Sequence, residues 1–416
     1  MLSAVRDEKA KPYLKVMEEN PRDPHPWRGA LSLGGISVAV LMGLSLSLEW
    51  VMPSARGWAY PSDVWFFVRA ARYIGNGAIG YMYEASDLIY ALPLFPILLS
   101  PLVVLGDALW LTEPLPFPLP RPTMWLLVGP FGMSSVIVLT HAIRALAHRM
   151  SLPGSHVSTQ VWTAALILLP ASIYGHFEDV LALAFVLLSL RTLLNRRPEF
   201  AALLLGVAIG FKQWAVLGLP LFIALTPSRS RLRSLGLALA LPLALGGFAL
   251  IVDWEHAAPA LLSSPTFPEL IGHAMPWIDP SSPTASPTVY RLMSLGVSVA
   301  IAVRLRDERR PRLIAAGFAV VFLSRALLEP VPLSYYLAPA FGFLLLYDRL
   351  SGRRLRNTGL FGCALIAYSL LPLDEPLWWI VFATAGCFLA WSPVRALLRD
   401  RATFRTPADV RATVST

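Results

Sequence analysis

Four short stretches carry residues able to do chemistry. Tyr174-Gly-His176-Phe-Glu178-Asp179 puts one imidazole and two carboxylates within four positions. Lys212 sits in Gly210-Phe-Lys212-Gln-Trp214, and Arg325 and Glu329 precede a Pro-Val-Pro-Leu-Ser-Tyr335-Tyr336 segment. Asp63, Arg69, Arg72 and Glu84 belong to an earlier polar stretch. Carboxylates and an imidazole can take up a proton or orient hydroxyls. A lysine and an arginine can hold an anion, Arg as a planar fork and Lys as a point charge. One His with carboxylates also has the donor types of a metal site, but that set is unspecific and no metal is assigned.

These charges interrupt or adjoin apolar runs. Charge at bilayer depth costs about 2.5–3.5 kcal/mol on insertion scales, so such positions are candidates for function. Each has a plainer reading. His176 can be a hydrogen-bonded structural residue, and Lys212 can snorkel to the interface. Arg325 and Glu329, four apart on a helix, can pair with each other. Tyr335 and Tyr336 can belong to an interfacial aromatic belt. An Asp at a helix start can simply be favoured by the helix dipole.

The elements that position them follow from composition. Of 416 residues, 56% are hydrophobic and only 15% charged, and the mean hydropathy is +0.58. Apolar runs recur at 31–51, 124–142, 161–173, 180–194, 235–252, 313–328, 333–347 and 377–391. A span needs about 20 predominantly apolar residues, and short runs are tolerated by local thinning. The expected fold is an all-α polytopic membrane protein with about twelve transmembrane helices (roughly ten to thirteen). Residues 1–29 form a cytoplasmic segment, 30–395 one membrane domain and 396–416 a cytoplasmic tail. The first apolar run is too long for a cleavable signal and reads as an anchor. Cys363 and Cys387 fall inside spans and read as small buried apolar residues.

The net charge of +9 does not indicate nucleic acid, because the arginines form short clusters between apolar runs. Clusters at Arg144/Arg149, Arg191/Arg196/Arg197, Arg229/Arg231/Arg233, 304–312, 349–356 and from Arg395 are assigned to the cytoplasm with both termini. Most of the acids, and all the stretches named above, then face outward. Residues 53–122 and 253–288 become large external segments. Parity leaves one crossing, not two, between residues 53 and 142. The run 92–109, interrupted by Pro93, Pro96 and Pro101, is therefore expected to re-enter or lie at the interface. From Asp63, with Ser62 as a possible cap, an amphipathic interfacial helix is expected: Trp65, Arg69, Arg72 and Asn76 share one side, Phe66, Phe67, Ala70 and Ile74 the other.

The ordered motifs resemble a known family. Tyr60-Pro-Ser-Asp63-Val-Trp-Phe, Arg72-Tyr-Ile-Gly-Asn-Gly, Gly80-Tyr-Met-Tyr-Glu84 and the proline-rich 90–101 are followed by the 175–184, 206–220 and 325–339 segments. Over roughly residues 30–350 this order is similar to the GT-C superfamily of integral membrane glycosyltransferases. The family 87-like polyprenyl-phosphate-mannose-dependent enzymes are the nearest in pattern. No acid adjoins Asp63, where that family often carries a pair. The resemblance implies an early catalytic Asp, here Asp63, acting as base in an inverting displacement. The donor is a polyprenyl-phosphate-linked sugar, mannose first among hexoses and pentoses, and the acceptor an envelope glycolipid or glycan on the outer face of a plasma membrane. Lys212 and Arg325 are then candidates for the donor phosphate. Glu84, His176, Glu178, Asp179, Tyr335 and Tyr336 are candidates for sugar or acceptor binding, with no cofactor. The residues leave open a transporter or flippase for lipid-linked sugars, or a non-catalytic membrane subunit. A transporter usually shows inverted repeats around a midplane site, and no repeat is visible.

Overall fold

The computed structural model describes residues 26–51, 58–61, 63–84, 92–112, 122–150, 156–262, 287–329, 333–369 and 376–399. Within them every regular element is helical. The apolar runs become helices and the breaks fall where proline, glycine and charge interrupt them. Helix α1 (Pro26–Val51) starts with proline at its first position, where no N–H is needed. Then come α2 (Val64–Gly75), the short α3 (Tyr81–Glu84) and α4 (Leu94–Ala108), followed by α5 (Trp125–Met133) and α6 (Ser135–Arg149) in one rod. α7 (His156–Thr163) runs through a π-turn at Ala164–Leu168 into α8 (Leu169–Tyr174). Pro170 cannot bond back to Leu166, and the widened turn absorbs that missing bond.

Next are α9 (Phe177–Leu194), α10 (Pro198–Phe211), a 3-10 turn Gln213–Gly218 leading to α11 (Leu219–Leu225), α12 (Arg231–Val252) and α13 (Trp254–Leu262). The last group is α14 (Pro287–Arg304), α15 (Pro311–Leu328), a 3-10 turn Ser334–Leu337 leading to α16 (Ala338–Leu350), α17 (Leu355–Ser369) and α18 (Pro376–Arg399).

The core is built on α9, which is apolar on all sides and packs against α6, α10 and α16. α15 and α16 are buried almost as fully and pack on each other. The outer helices differ. α1 exposes Leu31, Ile36, Val40 and Leu44, and α12 exposes Leu232, Leu243, Phe248 and Ile251. Among the described residues, five helical stretches are long and apolar enough to cross a membrane: 27–47, 125–149, 228–252, 311–328 and 377–399. Apolar side chains aimed outward on such helices mark a membrane-embedded protein.

Three expectations change. The run 92–109 is one continuous helix, α4. Pro93 caps it and Pro96 lies in the first turn, where missing donors cost nothing; only Pro101 is internal. α4 packs along α2, and Arg72 makes a two-pronged ion pair to Asp107 at 2.7 Å for each arm. Arg72, one of the charged residues on the polar side of α2, is therefore paired within the protein. Residues 254–262 form a helix rather than loop, with Asp253 accepting from the His256 N–H at its start (3.3 Å). Residues 263–286 of the 253–288 segment lie outside the described residues, as does Ser62. Neither cysteine is buried: Cys363 is half-buried and Cys387 exposed, both as free thiols on apolar helices.

The arginine clusters bond to one another's loops. Arg149 donates to Leu194 O (2.7 Å), Arg233 pairs with Glu199 (2.7 Å) and Arg231 with Asp307 (3.0 Å). Arg304 donates to Leu397 O (3.0 Å) and Arg349 to Thr159 (2.6 Å). These are the helix ends opposite to those carrying residues 174–179, 212–214 and 325–336.

Candidate active site

The site begins at a turn that only glycine takes easily. Gly175, between α8 and α9, has φ +82°. Its N–H and that of His176 both bond to Ala171 O, at 2.8 and 2.9 Å. A Cβ on Gly175 would stand 2.6 Å from Val64 Cγ2 and 2.9 Å from Pro61 Cβ. The start of α2 is thus seated directly on this glycine, and Asp63 is brought to His176. Asp63 occupies the N-cap of α2 but makes no side-chain cap bond. Its Oδ2 lies instead 3.1 Å from His176 Nε2.

The other ring nitrogen, His176 Nδ1, is 2.7 Å from Glu178 Oε1. Carboxylates only accept, so the imidazolium satisfies both contacts by donating from each nitrogen. Glu178 and Asp179 lie in the first turn of α9, where the helix dipole favours acids. Both are 0% exposed, so they need a buried counter-charge.

Lys212 supplies it. α10 ends at Phe211, and Lys212 takes an extended conformation before the 3-10 turn. Its Nζ reaches Glu178 Oε1 at 2.6 Å, Asp179 Oδ2 at 3.1 Å and His176 Nδ1 at 3.3 Å. The Asp179 Oδ2 contact is a charge contact without hydrogen-bond alignment, since that oxygen has no hydrogen-bond partner; nor does Glu178 Oε2. Trp214 Nε1 donates to Asp179 Oδ1.

Burial pushes the Lys212 ammonium down, but Asp179 and Glu178 outweigh it, so its pKa is raised and it stays charged. Burial and the Lys212 charge lower His176, while Glu178 and the hydrogen bonds to Asp63 and Glu178 raise it; the net is upward.

Aromatic rings extend the cluster. Tyr335 stacks on His176 (centroids 4.0 Å apart, planes 25°) and meets Tyr336 edge-on at 4.6 Å. Tyr174 lies against Tyr335 at 5.2 Å. The Arg325 guanidinium covers the Tyr336 ring at 4.5 Å. Arg325 and Glu329 make no ion pair, and Arg325 Nη1 is buried with no hydrogen-bond partner.

Of the residues singled out by sequence, Asp63, His176, Glu178, Asp179, Lys212 and Tyr335 form one contact network, and Tyr336 and Arg325 continue it. Glu84 ends α3, and its side chain lies outside the described residues. Several roles shift on the geometry. Glu178 and Asp179 are fully buried and turned to Lys212, and Tyr335, at 4% exposure, stacks its face on His176. Lys212 is neutralised by two carboxylates. Asp63, with its side chain 34% exposed, is the open end of the network, against 12% for His176 and 17% for Lys212.

Gly175, Trp214 and Tyr174 enter the site without having been assigned roles. The signals present were a glycine directly before His176 and an indole two residues after Lys212. His176, Glu178 and Asp179 each offer a ligand atom, all within 4.8 Å of one another, the donor set of a cation site. A separate cavity of about 40 Å³, lined by Ile74, Met82, Tyr83, Ile97 and Asp253 among others, sits at the far end of α2 from Asp63. Its lining is apolar apart from Tyr83 and Asp253, and the charged network is the better candidate for chemistry.

No family model matches the chain, and no curated protein or solved structure matches it either.

Proposed function

We propose that this protein is a membrane glycosyltransferase. It moves a sugar, mannose first among the hexoses and pentoses, from a polyprenyl-phosphate donor to a glycolipid or glycan acceptor. In this reading about twelve crossings are made by α1, α5–α6, α7–α8, α9, α10, α11 with its 3-10 turn, α12, α14, α15, α16 with its 3-10 turn, α17 and α18. α2, α3, α4 and α13 are then external elements. The arginine-rich ends and both termini face the cytoplasm of a plasma membrane, and the network of Asp63 faces outward.

The observation that carries the reading is the position of Asp63. It is the most exposed member of a chain of charged groups in which Glu178 and Asp179 are 0% exposed, His176 12% and Lys212 17%. Such an arrangement holds one carboxylate in a fixed place. That carboxylate takes the proton of the acceptor hydroxyl as the hydroxyl oxygen bonds to the anomeric carbon. The bond from that carbon to the phosphate oxygen breaks on the opposite face. Phosphate leaves as an anion without needing a proton, so a single base suffices.

The departing phosphate is assigned to Arg325, which has an unpartnered buried N–H and a guanidinium held flat by Tyr336. Lys212, already paired with two carboxylates, supports the base rather than the phosphate.

The test is sugar transfer in membranes carrying wild type or Asp63→Asn at equal protein level, with a panel of radiolabelled polyprenyl-phosphate sugars. Wild type is expected to form a glycosylated product and Asp63→Asn none. Full activity in the variant removes the mechanism. No transfer from any donor by wild type moves a transporter or a non-catalytic subunit ahead.

A further inference from the structure

Lys212 does not merely neutralise two acids. Its Nζ stands within 3.3 Å of one atom from each of His176, Glu178 and Asp179. Those are the three residues whose ligand atoms cluster within 4.8 Å. One imidazole nitrogen and two carboxylate oxygens, with a position left for water, form a common donor set for Mn²⁺ or Zn²⁺. Around a tetrahedral ion with bonds of about 2.0–2.2 Å the ligand atoms stand roughly 3.3–3.6 Å apart. The cluster, whose atoms lie within 4.8 Å of one another, closes around an ion by roughly 1.2–1.5 Å at its widest pair.

A second observation points to a cation with more coordination capacity than an ammonium. Glu178 is fully buried, yet its Oε2 has no hydrogen-bond partner. The ammonium donates to Glu178 Oε1 and is in charge contact with Asp179 Oδ2, and neither contact reaches Oε2. A divalent ion would also take the idle oxygen, by bidentate binding.

We propose that Lys212 is the built-in cation of a divalent-metal-type site formed by His176, Glu178 and Asp179, so that removing the lysine side chain opens the site to a metal ion. The consequence for the wild-type chain is that its buried acids are held by a covalently attached charge. Their arrangement is then indifferent to divalent-ion supply. The proposal concerns the charge cluster and stands independently of the transferase reading, and its test does not use sugar transfer.

The experiment uses full-length protein in detergent micelles, stripped with EDTA and titrated with Mn²⁺ at about pH 8, where protons compete with the metal less than at neutral pH. Free Mn²⁺ is followed by its electron paramagnetic resonance signal. Wild type is expected to bind no Mn²⁺ that depends on Glu178. Lys212→Ala is expected to bind one ion per chain, and Lys212→Ala/Glu178→Gln to lose it. Because Lys212→Ala leaves two buried acids without their cation, it is also produced and unfolded thermally with and without Mn²⁺. Mn²⁺ is expected to raise its melting temperature and to leave wild type unchanged. The proposal is overturned if Lys212→Ala gains neither binding nor stability from Mn²⁺. It is equally overturned if wild type binds an Mn²⁺ that Glu178→Gln abolishes, since the lysine would then not be the resident cation.

Discussion

Gly175→Ala tests whether the seat of α2 on the α8–α9 turn is what brings Asp63 to His176. The substitution has two costs. An L residue in the left-handed region loses about 1–2 kcal/mol. The new methyl also meets Val64 Cγ2 at 2.6 Å and Pro61 Cβ at 2.9 Å, closer than real contacts allow, and forced overpacking costs about 1–3 kcal/mol. The expected loss is therefore about 2–5 kcal/mol. Gly77 is an internal control: it also has positive φ, +74°, but a Cβ there would meet nothing within 4 Å. Gly77→Ala is expected to lose about 1–2 kcal/mol and nothing more.

Thermal unfolding of both variants in detergent separates the two costs. The displaced group is the segment bearing Asp63, and a shift of about 1 Å at a reacting group can cost about 100-fold in rate. Sugar transfer by Gly175→Ala should accordingly fall far more than its folded fraction, while Gly77→Ala keeps transfer in proportion to folded protein. Equal stability losses in the two variants would refute the packing argument. Undiminished transfer by folded Gly175→Ala would refute the claim that this turn positions Asp63.

Trp214→Phe removes the only hydrogen bond to the buried Asp179 Oδ1 seen among the described residues; a loss of about 1.5–3 kcal/mol is expected for a bond to a charged group, read as a lower melting temperature. Arg325→Lys keeps the charge but loses the flat guanidinium over Tyr336, so the KM for the donor should rise with no rescue relative to Arg325→Ala. The His176 pKa is raised on folding, so the stability it contributes is complete below its unfolded value of about 6.5 and is lost as pH rises through the higher folded value. Melting temperatures between pH 6 and 9 should show that decline in wild type, and His176→Gln should flatten it.

Much of the architecture was legible in the sequence because it depends on local quantities. Apolar runs long enough to be spans became helices, and the charges that broke them were costly enough to mark sites. Asp63, His176, Glu178, Asp179, Lys212 and Arg325 are singled out this way, without any distance between them. In the run 92–109 proline does not break the helix, because its cost depends on its place: at a cap and in the first turn it removes no bond that the helix makes.

Partnership was not legible. Arg325 and Glu329 have the spacing of a helical pair, yet α15 ends at Leu328 and Glu329 turns extended, so Arg325 stacks on Tyr336 instead. Lys212 had two readings in sequence, interfacial snorkelling or phosphate binding, and neither involved the acids it meets. Asp63 and His176 are 113 residues apart, and no periodicity relates them. Residue types and hydropathy set what each side chain costs to bury and at which end of a helix it is tolerated. Which charges neutralise one another, and which one remains open to a ligand, is decided by the packing of α2, α9, α10 and α16 with their turns, because Coulomb and hydrogen-bond energies depend on separations that only the packed chain defines.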